Sequence, residues 1–172
     1  MNLIISSEAD TASINLRDRL LEMSEWKEDG TFGNRTVWKL AKDYGDFCTE
    51  DTRLITIEEL HIHAEEIDKK WINQTNLNID NIVFLSRHKA ASGRPSLTVH
   101  PIGNWGAADY GGEEGEISGA TPEWMTGLLL NIRKNRISGY DVCFEATHHG
   151  PLLETPTMFL EIGSSESEWE KK

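Results

Sequence analysis

The apolar and polar positions of the chain follow two alternating periods. Leu3 to Ser6 is a short aliphatic run that reads as a first strand. The next residues, Ser7-Glu8-Ala9-Asp10, spell a capping box, and Ala12, Leu16, Leu20 and Met23 then recur at helical spacing, which predicts an amphipathic helix. Leu54-Ile55-Thr56-Ile57 predicts another strand, and Asn81 to Ser86 is apolar enough to be a strand buried on both faces. From Ser96 to Ile102, Leu97, Val99 and Pro101 alternate with Thr98, His100 and Ile102, a strand pattern that ends in Gly103-Asn104-Trp105-Gly106. Thr121-Pro122-Glu123 is a helix start, Met125, Leu128, Leu129 and Ile132 form its apolar stripe, and Ser138-Gly139 stops it. Val142 to Thr147 and Thr157 to Ile162 read as two more strands, and the glycine-rich, acidic segment Tyr110 to Glu116 reads as a loop. Strands alternating with helices predict a three-layer α/β/α sandwich, taken as a single α/β domain over residues 1–172.

Composition narrows the class. With 172 residues, 38% hydrophobic, 27% charged and a mean hydropathy of -0.48, the chain can build a packed core and is neither disordered nor membrane-like in make-up. No apolar run approaches the roughly 20 residues that span a bilayer. Met1-Asn2-Leu3 places no basic residue ahead of the first apolar stretch, so a signal-peptide layout is lacking. Cys48 and Cys143 stand far apart with no CxxC, which indicates neither a disulfide framework nor a zinc ribbon. The expectation is a cytoplasmic protein.

Charge modifies this picture. Seventeen basic and 29 acidic residues give a net charge of -12, which argues against a protein that coats nucleic acid. Yet residues 81–108 contain no Asp or Glu, where composition alone would put roughly five. That window holds Arg87, His88, Lys89, Arg94 and His100, and a second acid-free stretch, Trp124 to Tyr140, holds Arg133, Lys134 and Arg136. Buried strands and a helix C-terminus account for such segregation as readily as an anion-facing surface does.

Open α/β sheets place their ligands at the carboxyl ends of strands. Three predicted strand ends carry polar clusters: Ser86-Arg87-His88, then His100 with Gly103-Asn104-Trp105-Gly106, then Glu145-Ala146-Thr147-His148-His149-Gly150-Pro151. By period two, Glu145 shares a strand face with Cys143, Thr147 and His149, so it is a carboxylate inside a strand, where burial is costly without a partner. An adjacent His pair with Glu145 upstream suits metal binding or acid/base work, although each histidine taken singly is as readily structural. His61 and His63, flanked by acids, spell a metal motif but fit a solvated surface better, because a spacing of two suits a strand face and not a helix face.

These segments together resemble one known family. Phe84-Leu85-Ser86-Arg87-His88, Leu97 to Gly106 (Leu-Thr-Val-His-Pro-Ile-Gly-Asn-Trp-Gly), Tyr110-Gly111-Gly112, Cys143 to Pro151 (Cys-Phe-Glu-Ala-Thr-His-His-Gly-Pro) and Phe159 to Glu166 (Phe-Leu-Glu-Ile-Gly-Ser-Ser-Glu) look like the archaeal and plant type of D-aminoacyl-tRNA deacylase. The resemblance implies a mixed-sheet α/β fold related to peptidyl-tRNA hydrolases and nucleoside phosphorylases. It implies a cytoplasmic enzyme that uses zinc and hydrolyses the ester joining a D-amino acid to the tRNA 3′ end. The partner is then tRNA, with neither DNA nor a membrane, and the oligomeric state stays open.

Under that resemblance His88, His100, His148 and His149 are the candidate metal ligands, and Glu145, His148, His149 and His88 the candidate catalytic groups. Arg87 and the backbone amides of Gly103 to Gly106 or of Gly111 and Gly112 are candidates for the oxyanion or the terminal phosphate. His100 and Asn104 join the substrate-binding set; Lys89, Arg94, Arg133 and Arg136 could meet phosphates, and Trp105 offers a ring face for the terminal adenine. A metal-free peptidyl-tRNA or nucleoside hydrolase-like enzyme, or a non-catalytic tRNA-binding module or fragment, is the alternative. Family members are longer, so this chain is expected to be the N-terminal major part of the family domain. Ser165 and Glu168 spell a capping box with almost nothing after it, which predicts mobile or partner-held last residues and an exposed edge or face at Thr157 to Ile162.

Overall fold

The computed structural model describes residues 1–45, 48–135 and 137–171. β1 (Asn2–Ser7) leads into α1 (Thr11–Met23). Asp10, and not Ser7, caps this helix: its Oδ1 accepts from the amides of Ala12 at 2.9 Å and Ser13 at 3.2 Å. The Ser7 hydroxyl donates to the Glu59 carbonyl instead. There follow a hairpin of β2 (Trp26–Phe32) and β3 (Arg35–Leu40), then β4 (Thr52–Ile57), a single 3-10 turn at His61–His63, α2 (Ile67–Thr75), β5 (Asn81–Arg87) and β6 (Ser96–Pro101). α3 (Pro122–Lys134), β7 (Asp141–Phe144), β8 (Thr157–Gly163) and α4 (Glu166–Trp169) complete the order.

Among the described residues the strands form one mixed sheet in the order β2-β3-β4-β1-β5-β8-β6-β7. β4, β1, β5 and β8 run parallel, and β6 is antiparallel to β8 with β7 parallel to β6. Period two divides the strand residues between the two faces. Ile4, Leu54 and Leu85 meet Leu16 and Leu20 of α1, while Val83, Val99 and Met158 meet the stripe of α3 on the same side. Leu3, Ile5, Ile55, Ile82, Phe84 and Phe159 face the other side, where Ile67 and Trp71 of α2 close the core. The predicted three-layer α/β/α sandwich is therefore observed. No helix among the described residues is long and apolar enough to cross a membrane.

Two local expectations are corrected. The strand predicted over Val142 to Thr147 stops at Phe144, so Glu145 to His149 do not alternate across a sheet face. β8 is not an edge: it lies between β5 and β6, and all its residues except Leu160 are buried. The short α4 has its predicted capping box and is docked rather than loose, for Trp169 packs with Ala12, Tyr140 and Ile162. The Trp169 indole donates to the His88 carbonyl at 3.0 Å, and Asn15 Nδ2 donates to the carbonyls of Trp169 and Lys171. Tertiary contacts supply what a helix of this length lacks on its own.

Candidate active site

β8 and β6 fix the centre of the site. Period two places Phe159 and Glu161 on the α2 face of β8, and the antiparallel register sets His100 of β6 opposite Phe159 and Thr98 opposite Glu161. His88 enters from the end of β5, its amide donating to the Ile162 carbonyl at 2.9 Å. Gly163 permits this approach: a Cβ there would come within 2.2 Å of the His88 carbonyl oxygen. Glu145 extends β7 by one ladder bond, its amide to the Val99 carbonyl at 3.1 Å. His149 is held through its carbonyl, which accepts from Gly103 N at 2.8 Å. Since β6 and β7 run against β5 and β8, the site is not a crevice at one sheet edge. His88 and Glu161 arrive from one direction, His100 and Glu145 from the other.

Two donor groups result. His100, His148 and His149 each offer one nitrogen, and His88, Glu145 and Glu161 each offer one atom, with the atoms of each group within 4.8 Å of one another. In the first group every Nδ1 faces a backbone carbonyl: His100 that of Pro101 at 2.8 Å, His148 that of Ala146 at 2.8 Å and His149 that of Gly150 at 3.0 Å. A carbonyl only accepts, so each Nδ1 carries hydrogen and donates, and the lone pair of each neutral ring is left on Nε2. Phe159 lies beneath, stacked on His100 at 5.2 Å and edge-on to His149 at 4.6 Å. His100 Nε2 is fully buried and has no hydrogen-bond partner. A buried polar atom of this kind calls for something to fill the space before it.

Glu161 joins the groups. Its Oε1 lies 3.6 Å from His100 Nε2 and 3.9 Å from His149 Nε2, and its Oε2 lies 3.4 Å from His88 Nδ1. Glu145 Oε1 is 3.1 Å from the same His88 nitrogen. Burial pushes the Glu161 carboxyl toward its neutral form, but His100 and His88 beside it more than offset this and hold it below the ordinary carboxylate range. Glu161, with Glu145 behind it, raises His88. His100 is disfavoured as a cation by burial and raised overall by Glu161. His149 is pushed down to about 4 by burial and by the neighbouring His100.

The structure thus brings together His88, His100, Glu145, His148 and His149, as the sequence suggested, around a glutamate that the sequence did not single out. Arg87 and Lys89 line the same cavity. The other candidates lie elsewhere. Arg94 is exposed and faces Asp141 at 3.4 Å. Trp105 is 75% exposed and does not line the cavity. Asn104 is buried and donates to the carbonyls of Gly111 at 2.8 Å and Glu113 at 3.3 Å, holding a loop rather than a ligand. The Gly112 amide donates to Glu65 Oε1 at 2.8 Å, and a Cβ on Gly111 would lie 1.7 Å from the Ile62 carbonyl oxygen. The Gly112 amide is thereby taken, and Gly111 permits close packing on Ile62. The Gly103 and Asn104 amides are likewise taken, by His149 and Glu116. Arg133 is exposed on α3 away from the cavity, and Arg136 lies outside the described residues.

His61 departs from the expected solvated surface. It is buried edge-on against Phe84 and Phe159, with Nε2 3.3 Å from Ser13 Oγ. Burial pushes its pKa down to about 3. It is a neutral wall of the cavity, while His63 is exposed as expected.

A family model described as D-aminoacyl-tRNA deacylase matches residues 75–172. A D-aminoacyl-tRNA deacylase of Pyrococcus furiosus is 42% identical over 172 residues, covering 98% of this chain and 60% of that protein. One from Arabidopsis thaliana is 35% identical over 183 residues, covering 100% of this chain and 55% of that protein. The chain spans about 60% of the length of the first of these relatives. A crystal structure of a conserved protein of unknown function superimposes with a TM-score of 0.83 at 33% identity, covering 99% of this chain and 57% of that one. An S-adenosylhomocysteine nucleosidase from Streptococcus pyogenes shares the fold alone, with a TM-score of 0.51 at 12% identity over 93% of this chain and 81% of that one.

Proposed function

The chain belongs to the D-aminoacyl-tRNA deacylase family, and from that premise we propose that it hydrolyses the ester between a D-amino acid and the 3′ end of tRNA, with zinc held by His100, His148 and His149. The observation that carries the proposal is the gathering of three imidazoles, one nitrogen of each within 4.8 Å of the others, whose Nδ1 positions are all tied to carbonyls. Three imidazoles are a donor set that would suit catalytic zinc, and a carboxylate near the ring nitrogens is the usual outer support. Zinc held there supplies a Lewis acid that polarises the ester carbonyl and acidifies a water.

The chain's own groups carry the proton. His88 holds a hydrogen on Nδ1 between Glu145 Oε1 and Glu161 Oε2, which leaves Nε2 to take a proton from the attacking water and return it to the departing ribose oxygen. Glu161 keeps His88 and His100 in place and balances the charge that His88 gains when it takes the proton. An aminoacyl ester needs little more than this, since its leaving group is already good. The substrate places the reaction in the cytoplasm. Deacylation of D- and L-aminoacyl-tRNA by the purified protein, with and without chelator, tests this: cleavage of the D-ester, lost on chelation and restored by zinc, is expected. Zinc-loaded protein that leaves the D-ester intact would overturn it.

A further inference from the structure

The cavity of about 1220 Å³ beside the histidines is larger than the roughly 300–1,000 Å³ of most small-ligand sites, so a single amino acid does not fill it. It is lined by His88, His148, His149 and Glu161, and also by Arg87, Lys89 and Trp169. Arg17, Arg19, Arg35, Arg53 and Arg94 each face a carboxylate. Arg87 differs. Among the described residues its guanidinium is in no ion pair within 4 Å, although Asp10 feels its charge, and it lies over the Trp169 ring, 5.4 Å from the centroid. Trp169 is itself anchored by the bond from its indole to the His88 carbonyl. A guanidinium laid on an indole is held flat while its N–H edge stays available, the form in which arginine grips phosphate. Lys89, two residues on, is an exposed ammonium also without a carboxylate partner.

On a protein of net charge -12, Arg87 and Lys89 place two cations outside any ion pair at the cavity that holds the histidines. The acids that share the lining do not serve as their counter-anion. Asp10 already accepts from the amides of Ala12, Ser13 and Arg87. Glu161 is committed to the imidazoles, and Glu166 is exposed at the rim. Ser165 and Ser167 direct their hydroxyls to Glu168 and are not free donors. We infer that Arg87 and Lys89 form a phosphate subsite that takes the 5′-phosphate of the nucleotide bearing the aminoacyl ester. That phosphate and the ester oxygen hang from one ribose, so a phosphate subsite adjoining the reacting groups is where such a substrate places it. Arg94 and Arg133 stand outside the subsite.

The inference rests on the deacylase reading for the identity of the substrate, and calorimetric titration with adenosine 5′-monophosphate and with adenosine separates the two. The parent is expected to bind the monophosphate at least about tenfold tighter than adenosine, and Arg87→Gln with Lys89→Gln to bring the two within about twofold, since each charge-assisted contact is worth a factor of this order. Arg94→Gln is expected to leave the ratio as in the parent. Lys89→Gln alone, at an exposed position, is expected to lower the ratio at least about threefold and serves if the double variant melts early. A parent without the preference, or a double variant that keeps it because the phosphate sits on the histidine group, overturns the subsite. A parent that shows the preference and its loss but does not cleave D-aminoacyl-tRNA overturns the deacylase reading and leaves the subsite standing.

Discussion

The two donor groups sit side by side and share Glu161, yet they are built differently. The His100–His148–His149 group is positioned by backbone: three carbonyls fix three tautomers and leave a lone pair on each Nε2. The His88–Glu145–Glu161 group is positioned by charge, two carboxylates flanking one imidazole nitrogen. A carbonyl partner makes a histidine a ligand, because it cannot take the proton; a carboxylate partner makes it a proton carrier, because it stabilises the imidazolium. His88 Nδ1 faces two carboxylates, whereas His100 faces the Pro101 carbonyl through Nδ1 and Glu161 through Nε2 at 3.6 Å.

Predictions follow that contrast, from the largest effect to the smallest. His149→Ala removes a lone pair from the backbone-set group, and turnover should fall by about 10³-fold with loss of bound zinc, read by metal analysis and single-turnover deacylation. His88→Ala should lower turnover by about 10²-fold while at least one zinc per chain remains, which would separate proton transfer from metal holding. Equal loss of all metal in both variants would erase the distinction. Phe159→Leu removes the ring against which His100 and His149 rest, and zinc affinity should weaken by about tenfold, as for other outer supports, measured by competition with a chelator. Asn104→Ala should cost about 1–3 kcal/mol in denaturant unfolding through the loop carbonyls it leaves unpaired, with zinc content retained. Trp105→Ala should change KM by less than about twofold, because the ring lies outside the cavity.

What the sequence disclosed follows the strength of its local signals. β5, β6, β8 and α3 have apolar runs or stripes that only one element type explains; the three strands form within one residue of where the pattern places them, and α3 starts as predicted and ends at Lys134, short of the Ser138-Gly139 stop. The hairpin of β2 and β3 was illegible, since Trp-Lys-Glu-Asp-Gly-Thr-Phe is exposed along its middle and shows no alternation. The histidines and Glu145 could be found because they cluster at strand ends in a sequence otherwise sparing of histidine. Glu161 carried the same signal as Glu145, a carboxylate within a predicted strand, and that criterion applied evenly would have found it. Gly112 and Asn104 could not be judged from sequence, because whether an amide is free depends on a contact such as Glu65, far away along the chain. The opposed direction of β6, which brings His100 to the same place as Glu161, depends on tertiary packing that no local pattern records.

The central claim is that the imidazole group, set by backbone carbonyls, is where zinc is held. Zinc analysis of the parent and of a variant combining His100→Ala, His148→Ala and His149→Ala, each dialysed against the same buffered zinc and checked for an intact fold by circular dichroism, tests it most directly. The account predicts tightly bound zinc in the parent and at least a hundredfold weaker binding in the folded triple variant, an effect on the order expected when ligands rather than their supports are removed. Undiminished zinc in the folded triple variant would contradict it.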